Sequence, residues 1–344
     1  MKHTPNWFAS VMGTGIIAVA ANSLPVQFPG LHTAGRIVWI LASIMLITLC
    51  FSFRKAESYV DDSSMCHFYG APAMAFMTVG NGFLIYGGSW GVAVDWVLFG
   101  IGTTMGLGTA IIIPMKAFMD HTYKQDAAFG GWLMAVVPPM VSASSGGLLI
   151  PHTPAGQVRE TLLWCCYGCF GLSLLASVII ISLIWNKLFH WGIGARATVP
   201  TYWIILGPLG QSITAVNILG GNAHLIYGNS WADGLFLFGI IYGAATLGFA
   251  LLWTAIAGII TLRTLRMGMP FNLTWWSFTF PVGTVTTGLS GLYAHTGLYV
   301  FGALACIYYL GLVLVWVRVL SSTASIVFTK QEAQTIQVTV KERV

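Results

Sequence analysis

Gly130–Leu149 reads GGWLMAVVPPMVSASSGGLL, an apolar run that meets two prolines and then turns into hydroxyl and glycine residues. Proline removes a backbone donor and clashes with the preceding helical turn, so this stretch reads as a membrane-length helix with an interruption in it. The event recurs. Pro72, Pro139, Pro208 and Pro281 are spaced 67, 69 and 73 residues apart, and Gly13 and Gly15 sit where the count predicts a further break, 59 residues before Pro72. A period near 70 residues fits two bilayer-spanning helices and their loops, because each span takes roughly 20 residues.

Composition supports a membrane reading. The 344-residue chain is 56% hydrophobic and only 7% charged, with a mean hydropathy of +0.79. That leaves too little polar surface for a water-soluble globule. Interrupted segments are placed at residues 6–22, 66–87, 130–149, 199–220 and 274–290, and continuous ones at 35–53, 95–118, 159–184, 235–262 and 297–320. The expected fold is an all-α polytopic membrane protein of ten transmembrane helices, arranged as five helical hairpins around a central pore, with the odd helices inner and kinked. Broken helices are tolerated in lipid only where protein or a water-lined cavity satisfies the freed backbone groups, which is why they are expected inside. Residues 1–320 form the pore domain and residues 321–344 a cytoplasmic C-terminal tail, whose polar and β-branched composition suggests little packing.

Thirteen of the fifteen Lys and Arg residues fall on one side of this arrangement, and only Arg36 and Arg159 on the other. Basic loops stay cytoplasmic, so both termini are expected there, in a multi-pass protein of the cell (inner) membrane. The net charge of +5 is then a matter of topology, and no basic surface interleaved with aromatics points to nucleic acid. Lys2 followed by an apolar run resembles a signal peptide, but cleavage would remove the first member of the repeat, so it is read as a retained helix.

The acidic residues fall in loops and at helix ends, with Asp95, Glu160 and Asp233 at the outer ends. None is expected at bilayer depth, which disfavours carboxylate-based proton or sodium coupling and an acidic cation filter. The interrupted helices instead offer neutral donors, including Ser10, Gly13, Thr14, Asn81, Ser142, Gln211, Ser212 and Thr284, beside Pro139, Pro208 and Pro281. Such groups hydrogen-bond an anion without adding charge; small residues also serve plain helix packing. His32, His152, His224 and His295 occupy four of the five outer loops, where a ring that gains charge on acidification could attract anions at the outer mouth. Cys166-x-x-Cys169 has redox or metal spacing but lies in an apolar helix without acidic or histidine companions. No cofactor or metal is expected.

Four ordered motifs carry a family resemblance: Pro5-Asn6-Trp7-Phe8-Ala9-Ser10-Val11-Met12-Gly13-Thr14-Gly15, Trp132 to Val141, Gly207-Pro208-Leu209-Gly210-Gln211-Ser212, and Trp275-Trp276-Ser277-Phe278-Thr279-Phe280-Pro281. Together they resemble the tellurite-resistance/dicarboxylate transporter family, in particular its fungal malic-acid transporter and sulfite-efflux branch, related to plant slow anion channels. The resemblance implies a homotrimer with one pore per subunit, a small anionic substrate, and a phenylalanine plug carried over to Phe280, with Phe278 as the fallback. The implied function is transport of small anions, with C4-dicarboxylates such as malate and succinate first and sulfite or other inorganic anions as the alternative. An intramembrane enzyme built on His121 or on Cys165 to Cys169 is the competing class.

Overall fold

The computed structural model describes residues 4–53, 58–228 and 230–341, with side chains described through residue 327. The charges of Lys2, Arg54, Lys55 and Arg343 lie outside the described residues, as do the side chains of Lys330 and Lys341. Among the described residues the chain is all helical, without strands. The α-helices are α1 (Phe8–Ser23), α2 (Leu31–Phe53), α3 (Gly70–Tyr86), α4 (Gly91–Met119), α5 (Pro138–Leu149), α6 (Gln157–Trp191), α7 (Leu206–Asn222), α8 (Ser230–Arg266), α9 (Phe280–Thr296) and α10 (Tyr299–Lys341).

Every odd-numbered helix is preceded by a 3-10 stretch: Pro5–Trp7, Cys66–Tyr69, Gly130–Ala135, Arg196–Ile205 and Leu273–Phe278. Pro139 and Pro281 occupy the first turn of α5 and α9, where a missing N–H leaves no helical bond unmade. Gly13 and Gly15 behave differently from the expectation. They lie within a continuous α1, and their missing side chains serve packing. A Cβ on Gly13 would stand 2.1 Å from Thr279 Oγ1, and one on Gly15 would stand 2.8 Å from Thr78 Cγ2.

Seven helices are long and apolar enough to cross a membrane among the described residues. The α1, α5 and α9 segments, with 16, 12 and 17 α-helical residues, fall short by these criteria because they are brief or rich in Gly, Ser and Thr. Burial separates two populations. The Cys66–Tyr86 and Arg196–Leu225 spans are 72% and 89% buried, whereas the spans containing α2, α4, α6, α8 and α10 are 17–28% buried. Packing follows the same division: α1 packs on α3, α3 on α5, α5 on α7, α7 on α9, and α9 returns to α1. Each even helix lies against the odd helix that precedes it.

Indole groups tie outer helices to inner ones, using the apolar ring for packing and the N–H as a polar handle. Trp39 on α2 donates to Val79 O (3.2 Å) and Trp316 on α10 to Thr14 Oγ1 (3.1 Å). Trp253 on α8, fully buried, donates to Tyr202 O (2.8 Å). Gly156 (φ 97°) and Gly192 (φ 73°) bound α6, and Gly297 (φ 69°) closes α9, all in backbone regions that favour glycine. The tail departs from its composition, since α10 continues through Ser321 without a break.

One acidic residue also departs from expectation. Asp95 lies in α4 and is fully buried, with neither carboxyl oxygen hydrogen-bonded among the described residues. It faces Gly80 of α3, where a Cβ would stand 2.4 Å from Asp95 Oδ1. At this end of the bundle α3 and α4 pack closely enough to enclose a carboxyl near a helix terminus.

The tightest backbone contact between α7 and α9 is at Gly210, where a Cβ would lie 2.4 Å from Val285 N. Backbone cannot rotate aside, so Gly210→Ala is expected to destabilise the protein by about 1–3 kcal/mol. Gly108→Ala, at a site with nothing within 4 Å, should be stabilising by about 0.5–1 kcal/mol through helix propensity alone. Thermal melting of both variants in detergent checks the contrast.

Candidate functional site

At the end of the ring that carries the 3-10 stretches, a small enclosed cavity of about 20 Å³ receives residues from all five odd-helix segments. Its walls include Met12, Met74, Met134, Val137, Ile204 and Phe280. That volume suits about one water molecule and is far below the several hundred Å³ of a small-molecule pocket. The cavity is narrow and mostly apolar, with Asn6 and Ser277 as its polar members.

Phe280 is 2% exposed and lies at the start of α9 beside Pro281, and both line the cavity. Phe278 points elsewhere. It stacks edge-on against Trp203 and Trp275, 5.7 Å from each, and lines an apolar groove of about 460 Å³ between α8 and α10. The turn from 3-10 to α-helix at Thr279 separates the two rings onto different faces.

Residues seven apart on an α-helix share a face. Following the cavity walls along their helices therefore leads from Met74 to Asn81, from Val137 to Ser144, from Gly207 to Thr214 and from Phe280 to Thr287. All four arrivals are neutral and polar, whereas the same step on α1 leads from Met12 to apolar Val19. Gln211 Nε2 donates to Ser144 Oγ, and the hydroxyls of Thr214 and Thr287 share a 2.7 Å bond. Gln211 Oε1 and Asn81 Oδ1, though buried, have no partner among the described residues. Apolar walls thus give way to a stretch of neutral hydrogen-bonding groups, two of which retain unused acceptor atoms and, on the same amides, donors that can be re-aimed.

The remaining sequence candidates occupy joints between helices. Ser10 Oγ donates to Trp7 O (2.7 Å), and Thr14 Oγ1 donates to Ser10 O (2.7 Å) while accepting from Trp316. Ser142 bonds Thr103 on α4 (3.0 Å), and Ser212 accepts from Tyr242 on α8 (2.9 Å). Thr284 Oγ1 donates to Pro281 O (2.7 Å) and sits in the α7–α9 contact beside Gly210. Pro139 and Pro208 lie in the first turns of α5 and α7. The cavity-lining residues without a signal in the sequence are Met12, Met74, Met134, Val137 and Ile204.

His32, His152, His224 and His295 are not equivalent. His32 packs on Tyr86, with ring centroids 4.9 Å apart. His152 and His224 are exposed, and His224 Nδ1 lies 2.6 Å from Gly221 O. His295 is half-buried against Phe236, with Nδ1 2.9 Å from Asn217 Oδ1. Asn217 Nδ2 donates to Ile213 O and Gly239 O, which fixes Oδ1 as the acceptor and His295 Nδ1 as a donor. His295 is therefore committed to holding α7 and α9 together. At the opposite end, Tyr123 packs on Trp132 and donates to Ser63 O (3.0 Å), and burial pushes its hydroxyl up to about 12, so it remains a donor at neutral pH.

The model of the SLAC1 voltage-dependent anion channel family matches residues 2–324. The chain belongs to this family. Among its relatives, a sulfite efflux pump of Arthroderma otae is 25% identical over 95% of this chain and 91% of the pump. The malic acid transport protein of Schizosaccharomyces pombe is 26% identical over 82% of this chain and 68% of that protein. An uncharacterized transporter of Methanocaldococcus jannaschii is 27% identical over 81% of this chain and 80% of its own length. A SLAC1-family chain with several helices of membrane length is an integral multi-pass membrane protein, and membership in a family of anion channels and transporters supports a function other than enzymatic catalysis.

Removing the His295 ring leaves Asn217 Oδ1 buried without a donor. His295→Ala is expected to lower stability by about 1–3 kcal/mol, while exposed His152→Ala should change it by no more than about 0.5 kcal/mol. Parallel melting curves of the two variants test the assignment.

Proposed function

We propose that this protein conducts small anions across the membrane along the axis of the odd-helix ring, with Phe280 as the movable side chain that closes it. The observation that carries this reading is the axial cavity, to which all five segments contribute and which Phe280 helps to seal. Beyond the seal, Asn81, Ser144, Gln211, Thr214 and Thr287 supply hydrogen bonds without fixed charge. Weak neutral donors let an anion shed water and still leave. In this reading all ten α-helices cross the bilayer as five hairpins, α1, α5 and α9 being shielded by their neighbours. Both termini lie in the cytoplasm of a cell (inner) membrane protein, following the basic residues. The functional unit is a homotrimer with one pathway per subunit. His32, His152 and His224 stand at the outer mouth, where protonation would raise the local anion concentration.

C4-dicarboxylates such as malate and succinate are the first substrate class, and the fission-yeast relative is named for malic acid transport. A second reading, export of sulfite, is favoured by coverage, because the Arthroderma otae pump aligns over 95% of this chain. Both substrates are compact anions suited to the same neutral stretch.

Uptake of labelled malate, succinate, sulfite and chloride into proteoliposomes distinguishes these readings. Phe280→Ala should raise flux of the true substrate about tenfold or more, since the truncated ring opens the sealed end to water. Phe278→Ala enlarges the outer groove and should leave flux near the wild-type value. Equal effects from the two variants, or loss of flux in a folded Phe280→Ala protein, would remove Phe280 from the gate.

A further inference from the structure

The enclosed carboxyl of Asp95 has no role in the pathway just described. It is 0% exposed, and neither oxygen has a partner among the described residues. It rests on α3 at Gly80, next to Asn81, whose Oδ1 is also unpartnered and which lies on the same stripe as cavity-lining Met74. Leu98 closes the contact on the other side, its Cβ 3.2 Å from where a Gly80 Cβ would stand.

Among the described residues no cation is positioned to compensate a charge there. On α4 itself, Lys116 is paired with Asp61 and Asp120 near the far end of the helix. Helix α3 carries one titratable group, Tyr86, whose hydroxyl donates to Ala18 O (2.8 Å). The stretch before α3 carries Cys66, His67 and Tyr69, at the opposite end of that helix. Helix α5 and the stretches Gly88–Trp90 and Gly130–Ala135 carry none. Helix α6 approaches at Cys166, beside Phe99 and Gly146. Its Arg159 donates to Thr153 O and Leu225 O, its Glu160 accepts from Tyr227, and the Tyr167 hydroxyl has no partner among the described residues. On α2, His32 packs on Tyr86 and Arg36 is exposed. An ionised carboxylate in such a place bears its full desolvation cost with nothing to offset it, whereas a carboxylic acid is a modest polar group. Ionisable groups inside a membrane bundle mark ion or proton pathways as a rule.

We propose that Asp95 is a proton-binding site that controls the anion pathway: the closed bundle holds its carboxyl with a proton, and release of that proton to water puts a negative charge one residue from Asn81. Anions passing the neutral stretch then meet repulsion, so conduction is favoured by acid and slowed by base. The regulation rests on the axis being an anion pathway; the proton site itself does not.

Two measurements test the pair. Nitrate, which does not titrate in this range, is used as the probe in proteoliposomes from about pH 5 to about pH 8. Wild-type flux should fall roughly tenfold across that range, Asp95→Asn should conduct at the acid rate throughout, and Asp95→Glu should keep the dependence. A pH profile unchanged by Asp95→Asn overturns the control. Difference infrared spectroscopy of the detergent-solubilised protein should show the C=O stretch of a protonated carboxylic acid near neutral pH, lost in Asp95→Asn. If that band is missing from the wild type, the proton site is overturned whatever the flux. A band present without nitrate flux in any variant leaves Asp95 as a proton site and overturns the regulation together with nitrate conduction.

Discussion

Gly210 of α7 lies so close to α9 that even a methyl group would collide with the amide of Val285, and contacts of this kind close the ring on which the rest of the molecule depends. Gly70 lies against Met134 O and Gly130 against Thr201 O in the same manner. Lipid tails are as apolar as leucine, so helices in a bilayer gain little from hiding apolar side chains from one another. Close backbone approach supplies dispersion contacts and short polar links instead. A ring of five helices is narrow enough to be sealed by side chains only when its members approach this closely.

The closed ring sorts the side chains by position. Those beside the 3-10 stretches converge on a cavity with room for about one water, and they are mostly methionines, aliphatics and the aromatic rings of Phe68, Trp276 and Phe280, with Asn6 and Ser277 as polar members. Farther along the same helical faces stand amides and hydroxyls. An apolar constriction excludes ions by staying dry, and a neutral polar stretch accepts them without trapping them. The helices that hold the polar stretch are tied to one another by the Gln211–Ser144, Thr214–Thr287 and His295–Asn217 contacts.

Much of the helix order could be read directly. The long apolar stretches became α2, α4, α6, α8 and α10, because an uninterrupted run of helix-forming apolar residues has few other options in lipid. The prolines marked the odd segments, although the change from 3-10 to α-helix at each one has no separate signature. Gly13 and Gly15 were read as a break because glycine weakens helices, yet beside Thr279 and Thr78 they serve close packing. The hydroxyls of Ser10, Thr14, Ser142 and Ser212 bond within their own segment or to a neighbouring helix, and those partners have no signature along the chain. Phe280 and Phe278, two residues apart, could not be separated until the turn at Thr279 fixed their directions.

Composition and periodicity alone determined that this is a helical membrane protein with five specialised segments, since hydropathy and proline act locally and are visible along the chain. Family membership was also legible there, in four ordered motifs. Only the tertiary structure decided which groups share the axis and which fill joints between helices, because that depends on helix rotation and on neighbours some 70 residues away. It also decided the fate of Asp95. A carboxylate near a helix end looks solvated in sequence, and burial against Gly80, one residue from Asn81, is a property of how two helices overlap.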